Sequence, residues 1–257
     1  MNFIKFEILD SVGKITLNRP DVLNSFNRAM ALELQETLDK CASDKNIRAV
    51  YLTGEGRAFC AGQDLSEAIS PDTKIAEIVR LTYNPIIQKI RNLEKPVVCA
   101  VNGVAAGAGA NIAFACDISF AAENATFIQS FANIGLIPDS AGTFFLPRLA
   151  GLQRAAGLTM LAEKIKAQQA MEFGLIWKVI SDEKLQEEAF AAAKKLATMP
   201  TVGLGLTKKL FNKSLSNNLE NQLKSEEESQ ENAGNSYDYN EGVKAFLEKR
   251  KPVFKGE

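Results

Sequence analysis

Val97-Val98-Cys99-Ala100-Val101-Asn102-Gly103-Val104-Ala105-Ala106-Gly107-Ala108-Gly109-Ala110-Asn111 is the stretch that decides the fold. Its first five residues, introduced by Pro96, are uninterrupted apolar and read as a strand buried on both faces, as in a sheet covered by helices. The glycine and alanine run that follows has almost no side chain to bury, and from Gly109 to Ala115 it takes on helical character. A buried strand running into a helix is the unit of a layered α/β core. The same unit recurs on either side. Ile47 to Thr53 is a short apolar-rich strand ended by Gly54-Glu55-Gly56, and Ile118-Ser119-Phe120-Ala121 is a second doubly buried run.

Outward from this centre, Phe3 to Leu9 and Gly13 to Leu17 read as strands, with Ile15 and Leu17 on one face and Lys14 and Thr16 on the other. Asn18-Arg19-Pro20 breaks that pattern. A helix is expected from Asn27, a good N-cap, to about Cys41, its apolar face formed by Met30, Leu34, Leu38 and Cys41. A polar connection, Ser66 to Thr73, leads to a helix from about Lys74 to Leu93. After Gly151 the chain turns helical, with segments at Arg154 to Leu161, Lys166 to Phe173, Asp182 to Thr198 and Gly203 to Lys213. The polar run Leu219 to Asn232 reads as a solvated helix face. Pro200 marks the expected boundary between a core, residues 1–199, and a C-terminal helical region, residues 200–257. Leu204, Leu206, Leu210 and Phe211 of that region ask for burial on the core or on a neighbouring subunit.

Composition removes several function classes. There is no histidine, so every histidine-based nucleophile, base or metal site is excluded. A net charge of −1 argues against a broad nucleic-acid or anionic-membrane surface, while leaving room for a local basic patch. Cys41, Cys60, Cys99 and Cys116 show no C-x-x-C pairing and read as reduced core residues. Charged residues at Lys5, Glu7, Asp10 and Lys14 rule out a signal-peptide core near the N-terminus, and no apolar run reaches the roughly 18 to 20 residues of a membrane span. A cytoplasmic location is expected.

Candidate chemistry lies in three places. The segments Ala58-Phe59-Cys60-Ala61-Gly62-Gln63-Asp64-Leu65 and Asn102 to Asn111 are built to present bare backbone N–H groups. Asp139, in Gly135-Leu136-Ile137-Pro138-Asp139-Ser140-Ala141-Gly142-Thr143, is the best proton carrier to set beside them. Backbone donors and one carboxylate point to an activated carbonyl. In isolation each glycine run is more often a turn or tight packing, and an aspartate in a Pro-Asp-Ser turn is more often a cap. Tyr83 and Trp177 read as packing residues.

Taken in order, these landmarks resemble the crotonase (enoyl-CoA hydratase/isomerase) superfamily. The resemblance runs through Leu17-Asn18-Arg19-Pro20 with Leu23-Asn24, Phe59 to Leu65, Val101-Asn102-Gly103 to Cys116-Asp117, Gly135 to Pro138, and Phe246-Leu247-Glu248-Lys249-Arg250-Lys251. It implies a spiral of ββα units with a C-terminal helical trimerisation region, assembled as a homotrimer or a dimer of trimers. It also implies that the N–H groups of Gln63 and Ala108 bind the thioester oxygen of an acyl-CoA. Ala61, Asp64, Leu65 and Gly107 belong to the same binding loops, with adenine taken by backbone around Asp64 and Leu65. Phe246 and Lys249, often lent by a neighbouring subunit, are implied in CoA binding. Coenzyme A enters as part of the substrate, with no further cofactor and no metal.

Departures from the family pattern bear on the reaction. Hydratases carry two glutamates around a water; this chain has Asn111 and Phe131 at those positions. Asn111 exchanges no protons usefully, and Phe131 either packs in the core or lines an apolar acyl pocket. Asp139 stands where hydratases commonly have glycine and resembles isomerases of the superfamily, most closely those acting on ring-1,2-epoxyphenylacetyl-CoA. Dehalogenases also use an aspartate in this region, but with a histidine that this chain lacks. The expected activity is acyl-CoA isomerisation with Asp139 as acid and base. A Δ3,Δ2-enoyl-CoA isomerase is the alternative, and a catalytically silent acyl-CoA- or RNA-binding protein is the second. Hydration is expected to be negligible: crotonyl-CoA incubated with the protein gives little 3-hydroxybutyryl-CoA. A hydration rate comparable with the rate of double-bond migration would contradict the reading of Asn111 and Phe131.

Overall fold

Ile4–Leu9 (β1) and Val12–Leu17 (β2) form an antiparallel hairpin in the computed structural model, which describes residues 3–68 and 74–257. The two loop residues, Asp10 and Ser11, both adopt positive φ, the turn whose twist matches that of the strands. A 3-10 turn at Pro20–Val22 follows. The helix expected after Asn27 is α1 (Arg28–Ser43), with the Asn27 side chain accepting from the Met30 N–H at 2.9 Å. Met30, Leu34, Leu38 and Cys41 are all buried.

The middle of the chain repeats one pattern. Ala49–Gly54 (β3) is followed by the short Ala58–Cys60 (β4), then by α2 (Leu65–Ala68), α3 (Ile75–Ile78), a π turn at Val79–Tyr83 and α4 (Asn84–Asn92). Val97–Val101 (β5) is followed by Val104–Ala106 (β6) and α5 (Ala108–Ala115). Ile118–Ala122 (β7) is followed by Thr126–Ile128 (β8) and a 3-10 turn at Ser130–Ile134. The chain then runs through α6 (Gly142–Ala150), α7 (Leu152–Met160), β9 (Ile165–Lys166), α8 (Ala167–Glu172), β10 (Lys178–Ile180) and α9 (Leu185–Ala197). It ends with α10 (Thr201–Ser214), α11 (Leu219–Gly234) and α12 (Tyr237–Leu247).

Long and short strands sort into separate sheets. The large sheet has six strands in the order β1-β2-β3-β5-β7-β10, parallel from β2 onward; the small one has four, β4-β6-β8-β9, with β4, β6 and β8 parallel. Each turn of the chain therefore lays one strand in each sheet before going helical, the spiral that the resemblance implies. Helix α9 lies across β2, β3, β5 and β7 and sets the Phe190 ring edge-on to Tyr51, centroids 5.4 Å apart. That cover explains why Thr16 is buried, although its face of β2 reads as polar.

Several expectations need correcting. The small sheet and α6 have no counterpart in the sequence reading, while α12 falls within the helical region expected over residues 200–257. Ser66 to Ala68, expected as connection, are helical in α2, and residues 69–73 of that connection lie outside the described residues. The helix expected from Lys74 to Leu93 is interrupted by the π turn. Trp177, expected as a packing residue, is 70% exposed. Other expectations hold: the four cysteines are buried and unpaired, and α11 buries none of its residues. Among the described residues no helix is long and apolar enough to cross a membrane.

Charged groups tie the C-terminal helices to the sheets. Lys208 of α10, only 6% exposed, reaches Asp117 at 2.8 Å. Asp117 also accepts from Arg91 at 3.1 Å and from the Val97 N–H at 2.8 Å. Arg48 donates to the Met199 carbonyl at 2.6 Å, the Thr201 hydroxyl at 2.9 Å and the Phe254 carbonyl at 2.8 Å. Burial pushes the Lys208 ammonium below its ordinary pKa, and Asp117 opposes that shift. Removing Asp117 strands a buried cation, whereas replacing Lys208 by an apolar chain of like volume does not. Asp117→Ala is expected to lose about 3–5 kcal/mol in chemical denaturation, and Lys208→Met distinctly less. Equal or inverted losses would contradict this account of the anchor.

Candidate active site

Because β4, β6 and β8 run parallel, their C-terminal ends lie side by side, and the three candidate segments leave from them. Ala61 to Leu65 follows β4. Gly107 and α5 follow β6. Gln129 and the 3-10 turn carrying Phe131 follow β8 and lead on to Asp139. Ligand sites at the carboxyl ends of parallel strands are a general property of such sheets.

The first loop is fixed by the Leu17 to Asn24 motif. Asn24 is buried; its amide donates to the Glu55 and Ala58 carbonyls at 2.9 and 2.8 Å and accepts from the Arg19 N–H at 2.8 Å. Arg19 in turn pairs with Asp64 at 2.9 Å. Hydrogen bonds from the Ser66 hydroxyl, with help from Arg19, hold the Asp64 carboxyl below its ordinary pKa against burial. The Asp64 side chain is thus spent on the loop. Phe26 flanks Gln63 on the main chain, its N–H donating to Gly62 at 2.7 Å and its carbonyl accepting from Asp64 at 2.8 Å. Ala61 donates to the Leu23 carbonyl at 3.0 Å, and Leu65 is exposed.

The second loop lies directly against the first. Gly62 has φ +91°, and a Cβ there would sit 2.9 Å from the Ala106 carbonyl oxygen and 3.7 Å from the Ala108 nitrogen. At Gly109 a Cβ would come within 2.4 Å of the Cys60 carbonyl oxygen, so glycine lets α5 approach the end of β4. The Gly107 N–H donates to the Ile128 carbonyl at 2.9 Å. Between these tied positions, the N–H groups of Gln63 and Ala108 have no hydrogen-bond partner among the described residues. Ala108 opens α5, where the helix dipole adds to its attraction for an anion.

Asp139 completes the cluster. Its side chain is half-buried, and Ser140 donates to its Oδ1 at 2.8 Å. Burial raises its pKa above the ordinary carboxylate value, and the Ser140 hydrogen bond partly offsets this. Asn111, 1% exposed, uses both ends of its amide: Nδ2 donates to the Asp139 carbonyl at 2.8 Å and Oδ1 accepts from Gln129 at 2.9 Å. Phe131 is buried, its ring 3.5 Å from the position of a Cβ on Gly107. Tyr83, expected as packing, is buried but also donates to the Gln63 side chain at 2.6 Å.

Phe246 and Lys249 are not brought to this cluster within the chain. Phe246, 82% exposed, lies in a groove with Phe254 and Tyr239, and no hydrogen bond or ion pair among the described residues links either residue to the three loops. In the basic run at the end of α12, Glu241 and Glu248 hold Arg250, at 2.6 Å each. Lys249 and Lys251 make no ion pair among the described residues. Arg19, Asn24, Gln129 and Tyr83 support the loops without having been singled out for that work. The one signal in the sequence was the Leu17 to Asn24 motif itself.

Residues 7–257 match the enoyl-CoA hydratase/isomerase family, and the chain belongs to it, in the crotonase superfamily of acyl-CoA-processing enzymes. It is 48% identical over 261 residues to the 1,2-epoxyphenylacetyl-CoA isomerase of Escherichia coli (strain K12), covering 100% of both chains. It is 34% identical to a trans-2-decenoyl-[acyl-carrier-protein] isomerase of Streptococcus mutans, covering 99% of this chain and 98% of the other. Among solved structures, an enoyl-CoA hydratase from Bacillus anthracis superposes with a TM-score of 0.95 at 35% identity, over 99% of this chain and 100% of that one.

The Ser140 hydroxyl opposes the upward shift of the Asp139 carboxyl, so removing it should raise that pKa further. Ser140→Ala is expected to move the Asp139 carboxyl titration, followed by 13C NMR, to higher pH. No movement, or a downward one, would contradict the assignment of this hydrogen bond.

Proposed function

We propose that the protein is an acyl-CoA isomerase in which the Gln63 and Ala108 N–H groups hold the thioester oxygen and Asp139 carries the proton. The reading rests on one observation. Two N–H groups without partners among the described residues sit on abutting loops, and a half-buried carboxylate whose pKa is raised sits on the loop that Asn111 of α5 clamps. Fixed donors aimed at a developing oxyanion contribute about 3 to 4 kcal/mol each. They acidify the C–H bonds next to the carbonyl. Asp139 removes a proton from one carbon, the electron pair delocalises onto the thioester oxygen, and the same proton returns to another carbon as the double bond moves. The step is redox-neutral, and coenzyme A takes part only as the substrate's handle.

Full-length similarity to the 1,2-epoxyphenylacetyl-CoA isomerase supports 2-(1,2-epoxy-1,2-dihydrophenyl)acetyl-CoA as the substrate. On that ring the carboxylate would assist rearrangement of the epoxide to the seven-membered oxepin, and the buried Phe131 beside Gly107 suits an apolar acyl group. Similarity to the decenoyl isomerase favours linear enoyl thioesters as a second class, with the same residues serving as in a Δ3,Δ2-enoyl-CoA isomerase. Asn111, clamped to the Asp139 carbonyl, acts on the loop rather than on a water.

The proposal extends to assembly as a trimer or dimer of trimers through residues 200–257, with Phe246 and Lys249 reaching a neighbour's CoA. Exposed Phe211, Phe246, Leu247 and Trp177 support it by offering apolar surface that the single chain does not cover. Assaying ring-epoxide phenylacetyl-CoA beside a 3-enoyl-CoA separates the two substrate classes. Asp139→Asn, which leaves the backbone donors in place, is expected to slow the chemical step at least about 100-fold while acyl-CoA still binds. A mutant keeping most of its isomerase activity would remove Asp139 from the mechanism.

A further inference from the structure

Pro85 lacks an N–H, and its ring crowds the carbonyl four residues before it, that of Leu81. The helix running from α3 to α4 widens at this point into the π turn Val79–Tyr83, closed by the Asn84 N–H on the Val79 carbonyl. The Leu81 carbonyl, deprived of its α-helical donor, accepts instead from Gln35 of α1 at 2.9 Å, and the Thr82 carbonyl accepts from the same nitrogen at 3.0 Å. Single π turns within helices are frequent at functional sites.

Tyr83 ends this turn. It is 1% exposed, and its ring meets Phe26 edge-on with centroids 6.0 Å apart. Phe26 is the residue whose main chain flanks Gln63. The Tyr83 hydroxyl lies 2.6 Å from Gln63 Oε1. Gln63 cannot turn its amide over, because Nε2 already faces two acceptors, the Asp64 carbonyl at 3.2 Å and a Glu67 carboxylate oxygen at 3.3 Å. Burial raises the Tyr83 hydroxyl well above its ordinary pKa, so it stays a donor.

We infer that Tyr83 is a positioning residue: through its hydrogen bond to the Gln63 side chain it aims the Gln63 N–H at the thioester oxygen. The inference rests on the donor assignment under the proposed function. A purely structural tyrosine would influence stability alone; this one must also influence how the bound carbonyl is polarised.

The test is isotope-edited infrared spectroscopy of phenylacetyl-CoA labelled with 13C at the thioester carbonyl, bound to the full-length protein, together with isomerase kinetics. In the wild type the carbonyl band shifts to lower frequency on binding. Tyr83→Phe, which keeps the ring, is expected to move the band back toward its free position. It should also lower kcat about tenfold, the scale of one lost hydrogen bond, with KM within about twofold. Gln63→Leu cuts the same bond from the other side and should do likewise, so the test stands even if Tyr83→Phe folds poorly. Tyr83→Phe combined with Gln63→Leu should be no worse than Gln63→Leu alone. A shifted wild-type band that neither variant moves, or losses that add in the double variant, would overturn the role of Tyr83. A wild-type band left at its free position would instead overturn the donor assignment, and this inference with it.

Discussion

Everything at the candidate site depends on how closely the backbone after β4 approaches the backbone after β6. Parallel pairing of β4 with β6 brings the loops together, and Gly109 against the Cys60 carbonyl, with Gly62 against the Ala106 carbonyl, lets them touch. A Cβ at Gly109 would lie 2.4 Å from the Cys60 carbonyl oxygen and force the backbones apart. This contact leaves the Gln63 and Ala108 N–H groups close together and without partners among the described residues. A fixed donor without a partner in the fold is left for a ligand to satisfy. A carbonyl oxygen carrying growing negative charge is the partner that gains most from it.

Around this contact, polar side chains serve the loops more than they serve solvent. Asn24 and Arg19 fasten the first loop, and the second is fastened at Gly107 by the Ile128 carbonyl. The third is held by a chain in which Gln129 donates to Asn111 and Asn111 donates to the Asp139 carbonyl. The direction of that chain is fixed at its far end: a carbonyl can only accept, so Asn111 must present Nδ2 to it and Oδ1 to Gln129. This leaves Gln129 Oε1 as a buried acceptor without a partner among the described residues. Asn111 is thus an amide spent on the loop that carries Asp139.

The long strands were legible because they are buried on both sides. Val97 to Val101 is apolar throughout, and Ile118 to Ala121 is apolar except for Ser119, whose hydroxyl donates to the Ala113 carbonyl. Helix α1 was legible from Asn27 and the spacing of Met30, Leu34, Leu38 and Cys41. The small sheet was not, because three-residue strands such as Val104–Ala106 are too short for any period to show. Helix α6 was hidden by Pro147 inside it. The π turn was hidden because a proline two residues into α4 looks like an ordinary helix start, while its effect falls on Leu81. At the site, the residue types and loops were readable from motif order. The supporting bonds from Tyr83 and Gln129 were not: Gln129 meets Asn111 through the pairing of β8 with β6, and Tyr83 meets Gln63 where the π turn packs on Phe26.

The central claim is that the two backbone N–H groups receive the thioester oxygen. The most direct measurement is a crystal structure of the assembled protein with phenylacetyl-CoA, which presents the thioester and lacks the epoxide. The account predicts the thioester oxygen about 3 Å from both the Gln63 and the Ala108 nitrogens, with the Asp139 carboxylate facing the acyl carbons. A thioester oxygen bound by any other group, with those two N–H groups still unpartnered or capped by water, would contradict it.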